Sequence, residues 1–251
     1  MQKIIDTLEK IALKYPPDLV DIQLADIQRI AFHIQLVTDQ KGENITVCDL
    51  GGGIGLFSVG CAALGMKSIL IDDFQDEVNL KFGDAILDIH KSYGVQIINR
   101  DLINQGINFE PESIDAFTSF DSMEHWHHSP KQLLAQVKQS LNSTGIFVLG
   151  LPNCVNLRKR ITVPFGYGKW SSMADWYENK IFRGHIREAD VDDLHYIAKD
   201  MGLIDVKIYG RNWLGYISPN RVIRWASSLS DSLLQINPAL CSNIYLVGRK
   251  K

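Results

Sequence analysis

From residue 44 onward, short apolar runs alternate with segments of helical length. "NITVCDL", "KSILIDD", "VQIIN", "SIDAFTSF" and "GIFVLGLP" have strand length and favour β-branched and aromatic residues. Between them stand "LFSVGCAALG", "DEVNLKFGDAILDIHKSYG" and "PKQLLAQVKQSL", which read as helices, the first two ending at Gly65 and Gly94. Several strands are apolar throughout, as a parallel sheet covered on both faces requires. Such alternation predicts an open, doubly wound α/β sheet with right-handed crossovers.

The flanks differ from this centre. Residues 1–40 read as two helices: in the second, Leu19, Ile22, Ile27, Ile30, Ile34 and Val37 recur mostly at steps of three and four. "YPPD" separates them, because Pro16 and Pro17 interrupt the pattern. His33 falls in the second helix and reads as a surface or satisfied core histidine. Residues 152–188 lack periodicity but hold Phe165, Tyr167, Trp170, Trp176, Tyr177 and Phe182. A long irregular segment inside a compact domain is usually a lid or binding loop, and the aromatic content argues against disorder. A helix in "EADVDDLHYIAKDMG", a strand in "LIDVKIYG", an irregular stretch with Trp213, Tyr216 and Trp225, and a strand in "SNIYLVGRK" complete residues 189–251. Two final strands with no helix between them predict an antiparallel hairpin at the sheet edge. A single domain of 251 residues is expected, with residues 44–151 as its core.

The net charge of −3 gives no global basic field, so nucleic acid is not an expected partner. The charge is uneven, however. From Leu151 on there are 15 Lys/Arg against 9 Asp/Glu, and before it 11 against 20. A basic second half suits an anionic small-molecule or glycan-like acceptor. The densest basic run, Arg158, Lys159 and Arg160, has the look of a solvated face, with a phosphate, a nucleotide sugar or a membrane surface as the alternatives. Cys48, Cys61, Cys154 and Cys241 form no CxxC pair and read as reduced thiols. No signal peptide or membrane-length apolar run is seen, and a cytoplasmic location is expected.

"VCDLGGGIGLFSVG" carries the strongest functional signal. A strand ends near Asp49, Gly51, Gly52, Gly53 and Gly55 follow, and a helix begins. Glycines there let the backbone turn sharply beside a ligand, and the helix start offers free N–H groups. The third glycine of a dinucleotide fingerprint is missing, since Leu56 stands in its place, and no Gly-Lys-Ser/Thr follows. An acid ahead of the loop would repel a pyrophosphate but suit a ligand with a cationic amine, such as a methionine moiety. Asp72 ends the second strand 21 positions after Gly51, placed to accept both hydroxyls of a ribose, with Asp73 as the alternative. Asp101, after the third strand, is placed to accept an adenine amino group.

With "DLGGGIG", "LIDD", "NRDL", "IDAFTSFDSMEHWHHSP", "LLAQVKQSLNSTGIFVLGLPN" and "LVGRK" in this order, the chain resembles the class I S-adenosylmethionine-dependent methyltransferases. Within them it looks similar to the branch with ubiquinone-biosynthesis O-methyltransferases and natural-product and glycan methyltransferases. The resemblance implies a seven-stranded, mostly parallel sheet with its last strand reversed. It implies S-adenosyl-L-methionine as cofactor, held by Asp49 and the four glycines at the methionine end, by Asp72 at the ribose, and by Asp101 and Leu102 at the adenine, with Phe120 at the same cleft. Gly52 stands where many relatives carry another small residue, a departure with no expected consequence.

"TSFDSMEHWHHSP" follows the fourth strand and holds three of the seven histidines. Ligands of open α/β sheets lie beyond the carboxyl ends of strands, so this stretch should face the transferred methyl group. For a hydroxyl acceptor a proton must be taken up, and histidine titrates near neutrality. His125 and His128 are the expected bases, with His185 from the lid as a third, while Glu124 orients a histidine or holds the cofactor's amine. His127 is left on the surface. Ser129 and Pro130 read as the cap and first residue of the next helix. No metal is assigned in this reading. The alternative is a cation held by Asp121, Glu124, His125 and His185, 60 positions on from His125. The small-RNA 3′-end 2′-O-methyltransferases are similar here, although this chain has Asp rather than Glu as the first acid. A third reading is a methyltransferase-fold protein that binds without catalysis.

Overall fold

The computed structural model describes residues 1–167, 171–213, 221, 225 and 231–251. In chain order the elements are α1 (Gln2–Ala12), α2 (Pro17–Lys41), β1 (Thr46–Leu50), α3 (Leu56–Ala63), β2 (Lys67–Asp72), α4 (Glu77–Ser92), β3 (Gln96–Asn99), α5 (Leu102–Gln105) and β4 (Ile114–Phe120). A 3-10 turn (Met123–His125) leads to α6 (Lys131–Ser140), β5 (Leu141–Pro152), α7 (Leu157–Thr162), α8 (Met173–Tyr177), α9 (Val191–Asp200), β6 (Ile204–Arg211) and β7 (Asn243–Arg249). Trp170 and Tyr216 lie outside the described residues.

The seven strands form one sheet in the order β3-β2-β1-β4-β5-β7-β6. Strands β1 to β5 are parallel, and β7 runs antiparallel to both neighbours. The expected β6–β7 hairpin therefore forms, but β7 is not at the edge. It slots between β5 and β6, with Val148 opposite Val247 and Lys207 on its other side. Burial explains the choice: Ile244, Tyr245 and Leu246 are fully buried, whereas β6 alternates exposed and half-buried residues and tolerates the rim.

Strand alternation divides the core. Val47, Leu70, Ala116, Ile146 and Val148 face α1, α2, α3 and α4, while Cys48, Ile69, Phe117, Phe147 and Leu149 face α6 and α9. The helix starts are locally encoded: Pro17 opens α2, Asp76 caps α4 by accepting from the Asn79 N–H, and Asp190 and Asp193 cap α9 reciprocally. Helix α6 begins one residue later than expected, at Lys131. Ser129 Oγ still accepts from the Lys131 N–H at 3.3 Å, but Pro130 occupies the cap position. No described helix is long and apolar enough to cross a membrane.

Candidate active site

The turn from β1 into α3 is built for close approach. Gly51 has φ 72°, and a Cβ there would lie 1.9 Å from Ser122 Oγ. A Cβ on Gly52 would lie 2.0 Å from Asp49 Oδ2. The Asp49 carboxylate cannot retreat, because it accepts from Thr118 Oγ1 at 2.9 Å and Ser58 Oγ at 3.0 Å. Gly53 has φ 54°, and Gly55 has ordinary contacts and dihedrals. Two residues that the sequence did not single out fasten the far side of the turn: Tyr15 donates to the Ile54 carbonyl at 3.0 Å, and His90 Nε2 meets the Gly55 carbonyl at 3.1 Å.

The acids fall into different roles. Asp49 is buried beneath the turn, and burial raises its carboxyl to about pKa 7. It holds the loop from below rather than standing open to a ligand. Asp72 accepts from the Gly53 N–H at 2.9 Å and the Phe74 N–H at 2.6 Å, so it ties the end of β2 to the glycine turn. Burial raises its pKa against the pull of those two N–H groups. Asp73 instead accepts from the Gln75 N–H and pairs with Arg183 at 3.9 Å. Asp101 caps α5: Oδ1 accepts from the Ile103 and Asn104 N–H groups and Oδ2 from the Asn104 side chain. Leu102 buries its side chain in the core, leaving only its backbone near the strand ends. Phe120 ends β4 half-buried, its ring stacked on His33 at 4.0 Å. His33 is buried, with Nε2 on Tyr245 Oη at 3.1 Å and Nδ1 without a partner, so it is a core histidine only partly satisfied.

A cavity of about 360 Å³ opens beyond the ends of β4 and β5. Most of the residues that line it are polar or charged. Glu124, His125, His185, Asn156, Lys159 and Glu188 line it, with Arg29, Asp121 and Asn243. Phe165, Tyr167, Trp176 and Tyr177 are all more than half exposed and none lines it. Of the basic run, Arg158 and Arg160 are exposed, as a solvated face requires, while Arg158 and the half-buried Lys159 also line the cavity and Arg160 donates to the Val155 carbonyl.

Backbone bonds assemble this wall from distant segments. The Glu124 carbonyl accepts from the Ile186 N–H at 2.7 Å and the Arg187 N–H at 3.2 Å, which carries His185 to the 3-10 turn. The His125 and His185 rings meet edge to face at 4.9 Å. Each Nε2 lies 4.0 Å from Glu124 Oε1. His128 does not join them. Trp126 turns inward, donating to Ser122 Oγ at 3.2 Å, and the chain then leaves for solvent, so His127 and His128 are exposed. Asp121, with φ 49°, is drawn away by ion pairing with Arg29, itself clamped by Asp26.

Charge is unevenly distributed around the histidines. Burial, reinforced by the Asp121 charge, raises the Glu124 carboxyl to about pKa 8. Glu188 goes the other way: burial would raise it, but hydrogen bonds from His185 and Lys159 prevail and hold it at about 2. His185 Nδ1 lies 2.9 Å from Glu188 Oε1, and that bond raises the imidazole's pKa. His125 is lowered by burial, while its Nδ1 meets the Arg183 carbonyl at 2.7 Å. A carbonyl and an ionised carboxylate only accept, so in both neutral rings Nδ1 carries the hydrogen and Nε2 a lone pair.

Residues 24–208 match the family described as methyltransferase domain. No curated protein matches the chain. Among solved structures, a SAM-dependent methyltransferase from Archaeoglobus fulgidus aligns with TM-score 0.57 and 20% identity over 89% of this chain and 93% of its own. Phosphoethanolamine N-methyltransferase 2 of Haemonchus contortus, in complex with S-adenosyl-L-methionine, aligns at 0.57 and 18% over 87% of this chain and 52% of its own. Geranyl diphosphate C-methyltransferase of Streptomyces coelicolor aligns at 0.54 and 16% over 91% and 84%. These structures share the fold, and the last two, an N- and a C-methyltransferase, differ in the atom methylated. The chain belongs to the methyltransferase domain family, within the class I S-adenosylmethionine-dependent methyltransferases.

Proposed function

We propose that the protein transfers the methyl group of S-adenosylmethionine to an oxygen of a small, polar acceptor, such as a sugar or other hydroxyl-bearing molecule, seated in the cavity beyond β4 and β5. The observation that carries this reading is the lining of that cavity. Two imidazole lone pairs and a buried carboxylate converge there, beside Asn156, Lys159 and Arg158. An amine acceptor needs no such set of acceptors once it is neutral, whereas a hydroxyl must give up a proton.

The cofactor occupies the cleft above the glycine turn. Asp72 takes the ribose hydroxyls with the lone pairs left after Gly53 and Phe74, Asp101 and the Leu102 backbone meet the adenine, and Gly51, Gly53 and Gly55 allow the methionine end to approach. Asp49 acts on the amine through the turn it supports. Ser122, packed against Gly51 and two residues before Glu124, brings the transferred methyl and the cavity together. His185, backed by Glu188, and His125 face the acceptor oxygen. Residues 152–188 form a lid that closes on it.

Formation of S-adenosylhomocysteine across a panel of hydroxyl, amine and carbon acceptors tests this reading. Turnover confined to hydroxyl compounds is expected. Cofactor binding without turnover on any acceptor would favour the non-catalytic reading, and turnover confined to amines would overturn oxygen as the target.

A further inference from the structure

The acceptor-rich cluster at the cavity wall has more lone pairs than one hydroxyl proton can serve. Glu124 Oε1 lies 4.0 Å from Nε2 of both His125 and His185, too far for a hydrogen bond to either. One ligand atom from each residue lies within 4.8 Å of the other two. Glu124 is 1% exposed, and its Oε2 has no hydrogen-bond partner. A buried carboxylate oxygen with no donor is expensive unless something positive reaches it.

The surroundings orient all three groups inward. His125 Nδ1 is fixed by the Arg183 carbonyl and His185 Nδ1 by Glu188, which Lys159 holds in turn. Carbonyl and carboxylate partners on Nδ1 are what metal-binding histidines use to aim Nε2. The backbone bonds from Ile186 and Arg187 to Glu124 keep the two histidine-bearing segments in register. We propose that Glu124, His125 and His185 hold a divalent first-row transition metal through one carboxylate oxygen and two Nε2 atoms, with its remaining positions open to the cavity. Three atoms so spaced surround a point about 2.3–2.5 Å from each, within a few tenths of the ~2.0–2.2 Å bonds that such ions make to imidazole and carboxylate. Small rotations of the two half-exposed rings close the difference. Two imidazoles favour iron, cobalt, nickel or zinc over magnesium, which prefers oxygen ligands. Asp121 is not a fourth ligand, because Arg29 and Asn243 occupy it.

The metal's use rests on the hydroxyl-acceptor reading, while its binding does not. A bound ion would make an acceptor hydroxyl more acidic, so that its proton could pass to water while its oxygen forms the bond to the methyl carbon and the sulfonium's S–CH3 bond breaks to leave a thioether. The two histidines then act as ligands rather than bases.

The full chain, stripped with a chelator and titrated with Co2+, gives the test. Equilibrium dialysis should show one saturable site, with a visible absorption band that Zn2+ competes away. Glu124→Gln and His185→Ala should each weaken binding by about 100-fold or more and abolish the band. His127→Ala and His195→Ala, on exposed histidines, should leave both unchanged. Cofactor affinity by calorimetry verifies folding of each variant, and the isosteric Glu124→Gln carries the test if His185→Ala does not fold. Absence of a saturable site, or a site indifferent to Glu124→Gln, overturns the proposal. Chelator-resistant turnover would remove the metal while leaving hydroxyl methylation standing. A cobalt site without turnover would do the reverse.

Discussion

The glycine turn and the cavity wall at the sheet's carboxyl edge are made differently. The glycine turn is made from neighbours: Asp49, the four glycines and Asp72 lie within 24 residues, and its contacts are largely backbone N–H groups meeting carboxylates. The acceptor wall draws Arg29 from α2, Glu124 from the turn after β4, Asn156 from α7, His185 and Glu188 from before α9, and Asn243 from β7. Backbone bonds bring these segments together, and side-chain pairs such as His185–Glu188, Lys159–Glu188 and Arg29–Asp121 complete the wall. A site built on backbone varies little with sequence, whereas one built from side chains of separate segments can be respecified piece by piece. The first thus suits a cofactor and the second a variable acceptor.

The sharpest way to break this contrast is to cut the acceptor wall and look for damage on the cofactor side. His185→Ala should lower kcat by roughly 10²- to 10⁴-fold, the usual range for losing a group that handles the transferred proton or its oxygen. Cofactor affinity by calorimetry should stay within about twofold of wild type, since His185 touches nothing in the glycine turn. Equal losses in both would mean that the two sites are one structural unit. The converse cut is Asp72→Ala. It removes charge-assisted acceptors from both the turn and the ribose, and cofactor binding should weaken by about 1.5–3 kcal/mol. An unchanged affinity would withdraw Asp72 from the cleft.

Gly52→Ala tests whether the turn is as tightly fitted as its geometry implies. The new methyl would meet the Asp49 carboxylate, and overpacking of this kind costs about 1–3 kcal/mol in chemical denaturation. A neutral result would mean that Asp49 moves freely. Its carboxyl also sets a pH dependence. Burial raises Asp49 from 3.8 to about 7, so between those values the folded state binds the proton that the unfolded state has released. Stability contributed by this group is therefore full below about pH 4 and falls as pH rises towards 7. Without cofactor, Asp49→Asn should flatten that part of the melting-temperature profile, and a parallel profile would contradict the burial. The smallest effect is expected at Trp176, 58% exposed: Trp176→Ser should change stability by less than about 0.5 kcal/mol. A larger loss would mean that the aromatic segment is packed after all.

Legibility in the sequence followed the same division. The α/β alternation, the glycine turn and the acids at the ends of β2 and β3 were readable because each depends on residues close in the chain. How tightly Gly52 is held was not readable, because its constraint comes from the rotamer of Asp49, fixed by Thr118 on another strand. His128 was grouped with His125 by proximity, but a single inward-turned Trp126 sends the two apart. Arg29 gave no signal at all. It sits on a helix face in a regular pattern, and only the fold brings it to Asp121. Composition did not show which part of residues 152–188 meets the cavity: Phe165, Tyr167, Trp176 and Tyr177 face solvent, while polar residues on either side of them line it.

The bonds from Ile186 and Arg187 to the Glu124 carbonyl, with Cys154 N–H on the Ala189 carbonyl at 2.9 Å, pin both ends of residues 154–186 to the scaffold. The described residues between these ties include α7 and α8, and their closure is already secured. Doubling the length of this segment would cost only about 0.6 kcal/mol in closure entropy. That makes its solvent-facing part, around Phe165, Tyr167, Trp176 and Tyr177, the place where length and sequence can change while Asn156, Lys159, Arg183 and His185 keep the wall. New acceptors are then reachable through changes confined to one stretch of chain, with the methyl donor's half inherited intact.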